Sequence, residues 1–118
     1  MYNVGMVKQR SRKLSPREYR IAQRLKRRLQ EITSVNKIVV FGSRARGVAR
    51  QDSDLDIFIE LAELDATLRR DIREIAWEIS LDEGILISTF VVTTSAIIDS
   101  PIGANPILRT IATEGIAV

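Results

Sequence analysis

Two short runs rich in β-branched residues, KIVVFG at 37–42 and DLDIFIEL at 54–61, lie only eleven residues apart. The first stops at a glycine, as a buried strand does at a turn. In the second, Asp54, Asp56, Phe58 and Glu60 alternate with Leu55, Ile57, Ile59 and Leu61, which puts the two sets on opposite faces of a strand. So short an interval leaves room for one tight connection and a short helix. The two strands are therefore expected to be close neighbours in one sheet, and any chemistry in the interval is delivered to its end.

The flanking sequence supplies what covers such a sheet. SPRE at 15–18 combines a Ser N-cap, Pro at the first helical position and Glu three residues after the cap, a capping box that opens a helix. Ile21, Ala22, Leu25, Leu29 and Ile32 then recur at helical spacing as one expected buried stripe. A second helix is expected from 64 to about 81, its stripe formed by Leu64, Leu68, Ile72, Ile75, Ala76 and Ile79, with Trp77 off that stripe beside Leu81. ILISTFVVT at 85–93 reads as a third strand, SPIGANP as turns, and Asn105 and Pro106 as the start of a last helix through about Thr113; GIAV is a candidate fourth, edge strand. The fold class is α/β (α+β), a three- to four-stranded mixed sheet packed with about four helices. Residues 1–14 are expected to be a basic mobile arm and 15–118 a single domain.

Composition narrows the chemistry. Neither Cys nor His occurs in the 118 residues, which rules out disulfides, thiolate metal sites and an imidazole base, so any metal must be held by oxygen. No apolar run reaches membrane-spanning length and the start lacks a secretory signal, making a cytoplasmic location the default. Charge is segregated: residues 1–35 carry ten Lys and Arg against two Glu, a net of +8, whereas 36–118 carry eight against thirteen acids, a net of −5. The basic segment suits nucleic acid or an acidic protein, or else Arg17, Arg20, Arg24, Arg27 and Arg28 form the solvated face of a helix; aromatic residues do not interleave as a stacking platform needs, Tyr19 being the single one among these arginines.

The interval itself is FGSRARGVARQDSDLD, residues 41–56. Gly42 frees the backbone for a turn, and Ser43 opens a short helix whose unpaired N–H groups favour a phosphate. Arg46 either reaches the same anion or pairs with a nearby acid, and Gly47 ends the helix left-handed. Asp54 and Asp56, two apart on a strand, can share hard divalent cations; the other reading is turn chemistry by Ser53 and Asp54. Two like charges on one face repel unless a cation intervenes, which favours the first. Arg44 and Arg50 are expected to face solvent, Asp52 to belong to the turn, and Glu60 to clear the site.

GSRARGVARQDSDLD resembles the G-S-x-A-R-G, spacer, S-D-x-D signature of the minimal nucleotidyltransferases, small members of the DNA polymerase beta-like nucleotidyltransferase superfamily. Gly42, Ser43, Ala45, Arg46, Gly47, Ser53, Asp54 and Asp56 fill all its positions. The resemblance implies a nucleotidyltransferase fold and a nucleoside triphosphate substrate, ATP being expected. It also implies two Mg²⁺ ions on the catalytic pair Asp54 and Asp56, with Gly42, Ser43, Arg46 and Ser53 binding the nucleotide and its phosphates. A nucleotidyl group would pass to an acceptor hydroxyl, with release of pyrophosphate. Metals that bridge the attacking and leaving oxygens leave the protein mainly the task of positioning, for which no histidine is required.

One departure stands out. Superfamily members commonly carry a third carboxylate on the next strand, where this chain has Ser88 or Thr89; Asp82 and Glu83 precede that strand as candidate substitutes, though both suit a helix terminus better. The first function expected is transfer of AMP to a macromolecule, because a small domain has little wall to enclose a small acceptor. The minimal members resemble the antitoxin half of two-gene modules whose partner is a HEPN-type toxin. Trp77 and Leu81, on the outward side of their helix, are the candidate anchor for such a partner, unless a neighbouring loop covers Trp77. The alternatives are a catalytically weak or inactive module that neutralises its partner by binding, and an RNA-binding accessory domain.

Overall fold

The structure, a computed structural model, describes residues 14–118. The arm expected over 1–14 therefore lies, except for Leu14, outside the described residues, and Leu14 packs partly buried against the core. Helix α1 spans Pro16–Gln30, β1 Val35–Phe41, α2 Gly42–Arg46, β2 Leu55–Leu61, α3 Ala66–Glu83 and β3 Ile87–Thr93. Helix α4 follows at Thr94–Asp99, then a 3₁₀ turn at Pro101–Ala104, α5 at Pro106–Glu114 and β4 at Ile116–Ala117. The strands lie in the order β3-β2-β1-β4, with β1 antiparallel to both β2 and β4 and β2 parallel to β3. This is the mixed four-stranded sheet expected, with GIAV as its short edge.

The capping box at the start of α1 forms as read: the Glu18 N–H donates to Ser15 Oγ at 3.1 Å and the Ser15 N–H to Glu18 Oε1 at 2.8 Å. Ile21, Ala22, Leu25 and Leu29 are fully buried against Leu55, Ile57, Ile59 and Leu61 of β2 and Ile72, Ile75 and Ile79 of α3. Ile32 departs from the expected stripe. The helix stops at Gln30, and the turn that follows carries Ile32 off the buried face, 47% exposed. Helix α3 begins two residues later than expected because Asp65 is its N-cap, accepting from the Leu68 N–H at 2.7 Å.

The second face of the sheet is not simply polar. Val39, Phe58, Val92 and Ile111 form a smaller cluster there, joined by Phe41, Phe90, Ile97 and Leu108. The 3₁₀ turn, within the SPIGANP read from sequence as turns, and helix α4, for which the sequence offered no element, provide its cover together with α5; no periodic stripe of useful length marks such short elements. Helices thus cover part of both faces of the sheet, and at the Asp56 end this face carries half-buried Asp56 and exposed Ser88. No helix among the described residues is long and apolar enough to cross a membrane.

The opposite charges of the two parts of the chain meet across α1 and α3. Arg20 and Arg24 donate to Glu83, Arg24 also to Asp82 at 2.7 Å, Arg28 to Glu78 at 3.0 Å, and Arg17 to the Glu83 carbonyl. These arginines are an ion-paired seam, not a free basic face. The Arg20 hydrogen bond, with Arg24 adding to it and partial burial opposing, holds the Glu83 carboxyl below its usual range. A depressed carboxyl pKa contributes stability that is complete above the ordinary glutamate value of 4.5 and is lost as pH falls through the lower folded value. Glu83→Gln is expected to lower unfolding free energy by about 1 kcal/mol at neutral pH and low salt. Urea melts should show that deficit shrinking in high salt and closing in acid.

Candidate functional site

Strand β1 runs into a turn at Gly42, whose φ of +77° lies in the left-handed region that favours glycine. The ladder pairs Phe41 with Asp56, so the turn is set directly against the Asp56 side chain. A β-carbon at residue 42 would run into Asp56 Oδ2. Glycine is thus required twice, for its backbone conformation and for the close approach. Helix α2 is a single turn closed by Gly47, with the Val48 N–H reaching Ser43 O at 3.1 Å and the Gly47 N–H reaching Arg44 O at 3.3 Å in a Schellman arrangement.

The chain returns to the sheet through a loop at 48–54. Ser53 shapes its end: its hydroxyl oxygen accepts from the Arg50 N–H at 2.9 Å, and its own N–H donates to Arg50 O at 3.0 Å. Asp54 is exposed just before β2, whose first residue Leu55 donates its N–H to Leu86 O at 2.8 Å. Asp56 is the first acid inside the strand and is half-buried. Burial pushes its carboxyl up, the Asp54 charge pushes it further, and Arg46 opposes both. Arg46 Nη1 lies 3.5 Å from Glu114 Oε1 on α5, a loose pair in which Arg46 is exposed and Glu114 half-buried. The turn, the two acids and Arg46 therefore share one corner of the open sheet face.

Arg44 does not face solvent as expected. It is 8% exposed, with Nη1 donating to Glu18 Oε2 at 2.9 Å, Nε and Nη2 to Ser53 O at 3.0 and 2.7 Å, and Nη2 to Gln51 O at 3.2 Å. Buried carbonyls of an irregular loop need donors, and one planar guanidinium serves two of them while meeting a carboxylate. The sequence signal was present but divided, with Glu18 visible only as a cap residue. Glu60 clears the site and accepts from the Thr94 hydroxyl at 2.7 Å.

The strand register resolves the place of the missing acid. Ser88 pairs with Asp56, whereas Thr89 pairs with Ile57 and shares the face of the main core. Asp82 and Glu83 cannot substitute, since Arg20 and Arg24 hold them on the α1–α3 side of the sheet. Among the described residues no three acidic side chains gather as a metal cluster. Trp77 and Leu81 stand 57% and 65% exposed on the outward side of α3.

A glycine turn closed on a strand aspartate, at the open end of a mixed sheet, defines a class that the comparisons bear out. The nucleotidyltransferase domain model matches residues 19–95, and the chain belongs to that family. Among individual proteins, the chain is similar to the protein adenylyltransferase MntA of Thermococcus cleftensis, 43% identical over 44 residues, which are 37% of this chain and 44% of that one. The match thus spans less than half the length of this relative. Two solved structures share the fold, one of a toxin-antitoxin with AMP-PNP at a TM-score of 0.58 and one of a mutant of the toxin-antitoxin MntA-HpeT at 0.55. Each is 22% identical and covers 85% of this chain and 70% of the matched chain. In the mutant, two aspartates two positions apart are replaced by glutamate.

The raised carboxyl at Asp56 has a testable sign. The stabilising contribution of its protonated form is complete below the ordinary aspartate value of 3.8 and is lost as pH rises through the higher folded value. Ionised Asp56 thus opposes folding at neutral pH. In EDTA at pH 7, Asp56→Asn is expected to raise the melting temperature by a few degrees, and the gain should vanish in strong acid. A variant that melts lower than wild type at pH 7 would contradict this account of the corner.

Proposed function

We propose that the chain is a metal-dependent nucleotidyltransferase that moves AMP from ATP to a hydroxyl on a macromolecular acceptor, and that it acts in the cytoplasm as antitoxin to a HEPN-type toxin. The observation that carries this reading is the closure of the Gly42 turn onto Asp56 beside exposed Asp54. The chemistry of the pair fits divalent cations: two carboxylates two residues apart, one on the strand and one just before it, the first held where burial and its neighbour disfavour its charge. In this reading Asp54 and Asp56 hold two Mg²⁺ ions. Bound there, the ions would neutralise charge developing at phosphorus and ease loss of the acceptor's proton.

The chain's own groups do the rest. In this reading the backbone at Gly42 and the hydroxyl of Ser43 donate to phosphate oxygens. Ser53, whose oxygen accepts from Arg50, retains an O–H to donate to the nucleotide. Arg46, loosely paired with Glu114, can turn to the same phosphates. The relative named a protein adenylyltransferase supports AMP as the group moved, and the toxin-antitoxin neighbours support a protein partner. Trp77 and Leu81, one helical turn apart and exposed, are the anchor we assign to it. The basic first helix offers nucleic acid less than its composition promises, because Arg20, Arg24 and Arg28 already face acids of α3.

One observation favours a second reading, a module that neutralises its partner by binding with little turnover: Ser88 stands beside Asp56 where the third carboxylate is absent. Labelled ATP, Mg²⁺ and the purified toxin separate the two. Transfer of label to the toxin that falls to background in Asp54→Asn supports the enzyme, and in that case Ser88→Asp is expected to speed it. Tight complex formation without any transfer supports the module.

The docking surface is tested apart from chemistry. Trp77→Ala is expected to weaken toxin capture about tenfold or more while leaving the melting temperature within a degree or two of wild type. Undiminished capture would remove Trp77 from the interface.

A further inference from the structure

We propose that Arg44, backed by Glu18, is a positioning residue that sets the spacing of the two aspartates. The proposal rests on the reading of Asp54 and Asp56 as a divalent-cation pair. Asp56 is fixed by its strand, by pairing with Phe41 and by contact with Gly42. Asp54 lies one residue outside the strand, so the ladder alone does not orient it. Its N–H and the Ser53 carbonyl belong to one rigid peptide plane. Arg44 grips that carbonyl with two nitrogens, at 2.7 and 3.0 Å, and the Gln51 carbonyl with a third contact at 3.2 Å. Holding this plane fixes the direction in which Asp54 leaves the loop.

The grip is itself held from behind. Both oxygens of Glu18 are engaged, Oε1 by the Ser15 N–H at 2.8 Å and Oε2 by Arg44 Nη1 at 2.9 Å. The carboxylate cannot rotate without breaking the cap of α1, so the guanidinium is anchored to a helix whose Ile21, Ala22, Leu25 and Leu29 are buried in the main core. A lysine keeps the charge but lacks the fork that reaches Glu18 and two carbonyls together. Metal sites behave this way in general: groups that orient a ligand, without touching the ion, commonly change its affinity ten- to a hundredfold.

Mn²⁺ binding, read by electron paramagnetic resonance without any substrate, is the measurement. Arg44→Lys is expected to stay folded by circular dichroism and to bind Mn²⁺ about tenfold more weakly than wild type. Glu18→Gln, which keeps the cap acceptor and discharges the anchor, is expected to bind a few-fold more weakly. A merely structural Arg44 would lower the melting temperature and leave the Mn²⁺ affinity of the folded protein unchanged; that result overturns the proposal. Should Arg44→Lys fail to fold, Glu18→Gln decides alone, wild-type affinity again being the overturning result. Wild-type protein that binds no Mn²⁺ defeats the two-aspartate reading itself, and the positioning role with it, whereas binding by wild type and Arg44→Lys alike defeats the positioning role only.

Discussion

The antiparallel pairing of β1 with β2, in the register that sets Phe41 opposite Asp56, is the constraint on which the rest depends. Side chains alternate along a strand, so a slip of one residue would turn Leu55, Ile57 and Ile59 away from α1 and α3 and point Asp56 into the core. The same pairing decides where the glycine turn falls. Because Gly42 follows Phe41 directly, its backbone meets the Asp56 carboxylate. Apolar burial on one face thereby holds the chemistry on the other. The core cost of moving the site is the loss of four fully buried strand side chains.

Charge is used in three distinct ways around this frame. Along the α1–α3 seam, opposite charges lie near water and tie two helices together at modest gain. Behind the site, Arg44 and Glu18 are buried and fully engaged, a pair that is costly to break from either side. The Glu18 carboxyl lies below its usual range because hydrogen bonds from Ser15 and Arg44 together outweigh the upward push of burial. At the site the balance is reversed, with burial and Asp54 both working against the charge on Asp56.

The sheet's geometry also bears on how much catalysis to expect. Ser88 occupies the position beside Asp56 on the parallel neighbour β3, so the absence of a third acid is a matter of side chain and not of architecture. The backbone that would present such a group is already in place.

Local signals carried much of this into the sequence. The capping box at Ser15 and Glu18, the alternation across 54–61 and the glycines at 42 and 47 each act within a few residues, so each could be read before any tertiary contact was known. The nearness of Asp56 to the Gly42 turn followed from the same local rules, whereas Asp54, expected on the strand, lies one residue before it. Other features required the assembled fold. Arg44 looks like any surface arginine until Glu18, 26 positions away, closes on it. The arginines of α1 look free until α3 lies alongside, and the choice between Ser88 and Thr89 waits on the register of β3 against β2. Periodicity, capping and turn chemistry are properties of neighbouring residues, and the sequence by itself determines them. Burial of a charge and pairing between distant side chains are properties of the packed chain, and only the tertiary structure could decide them.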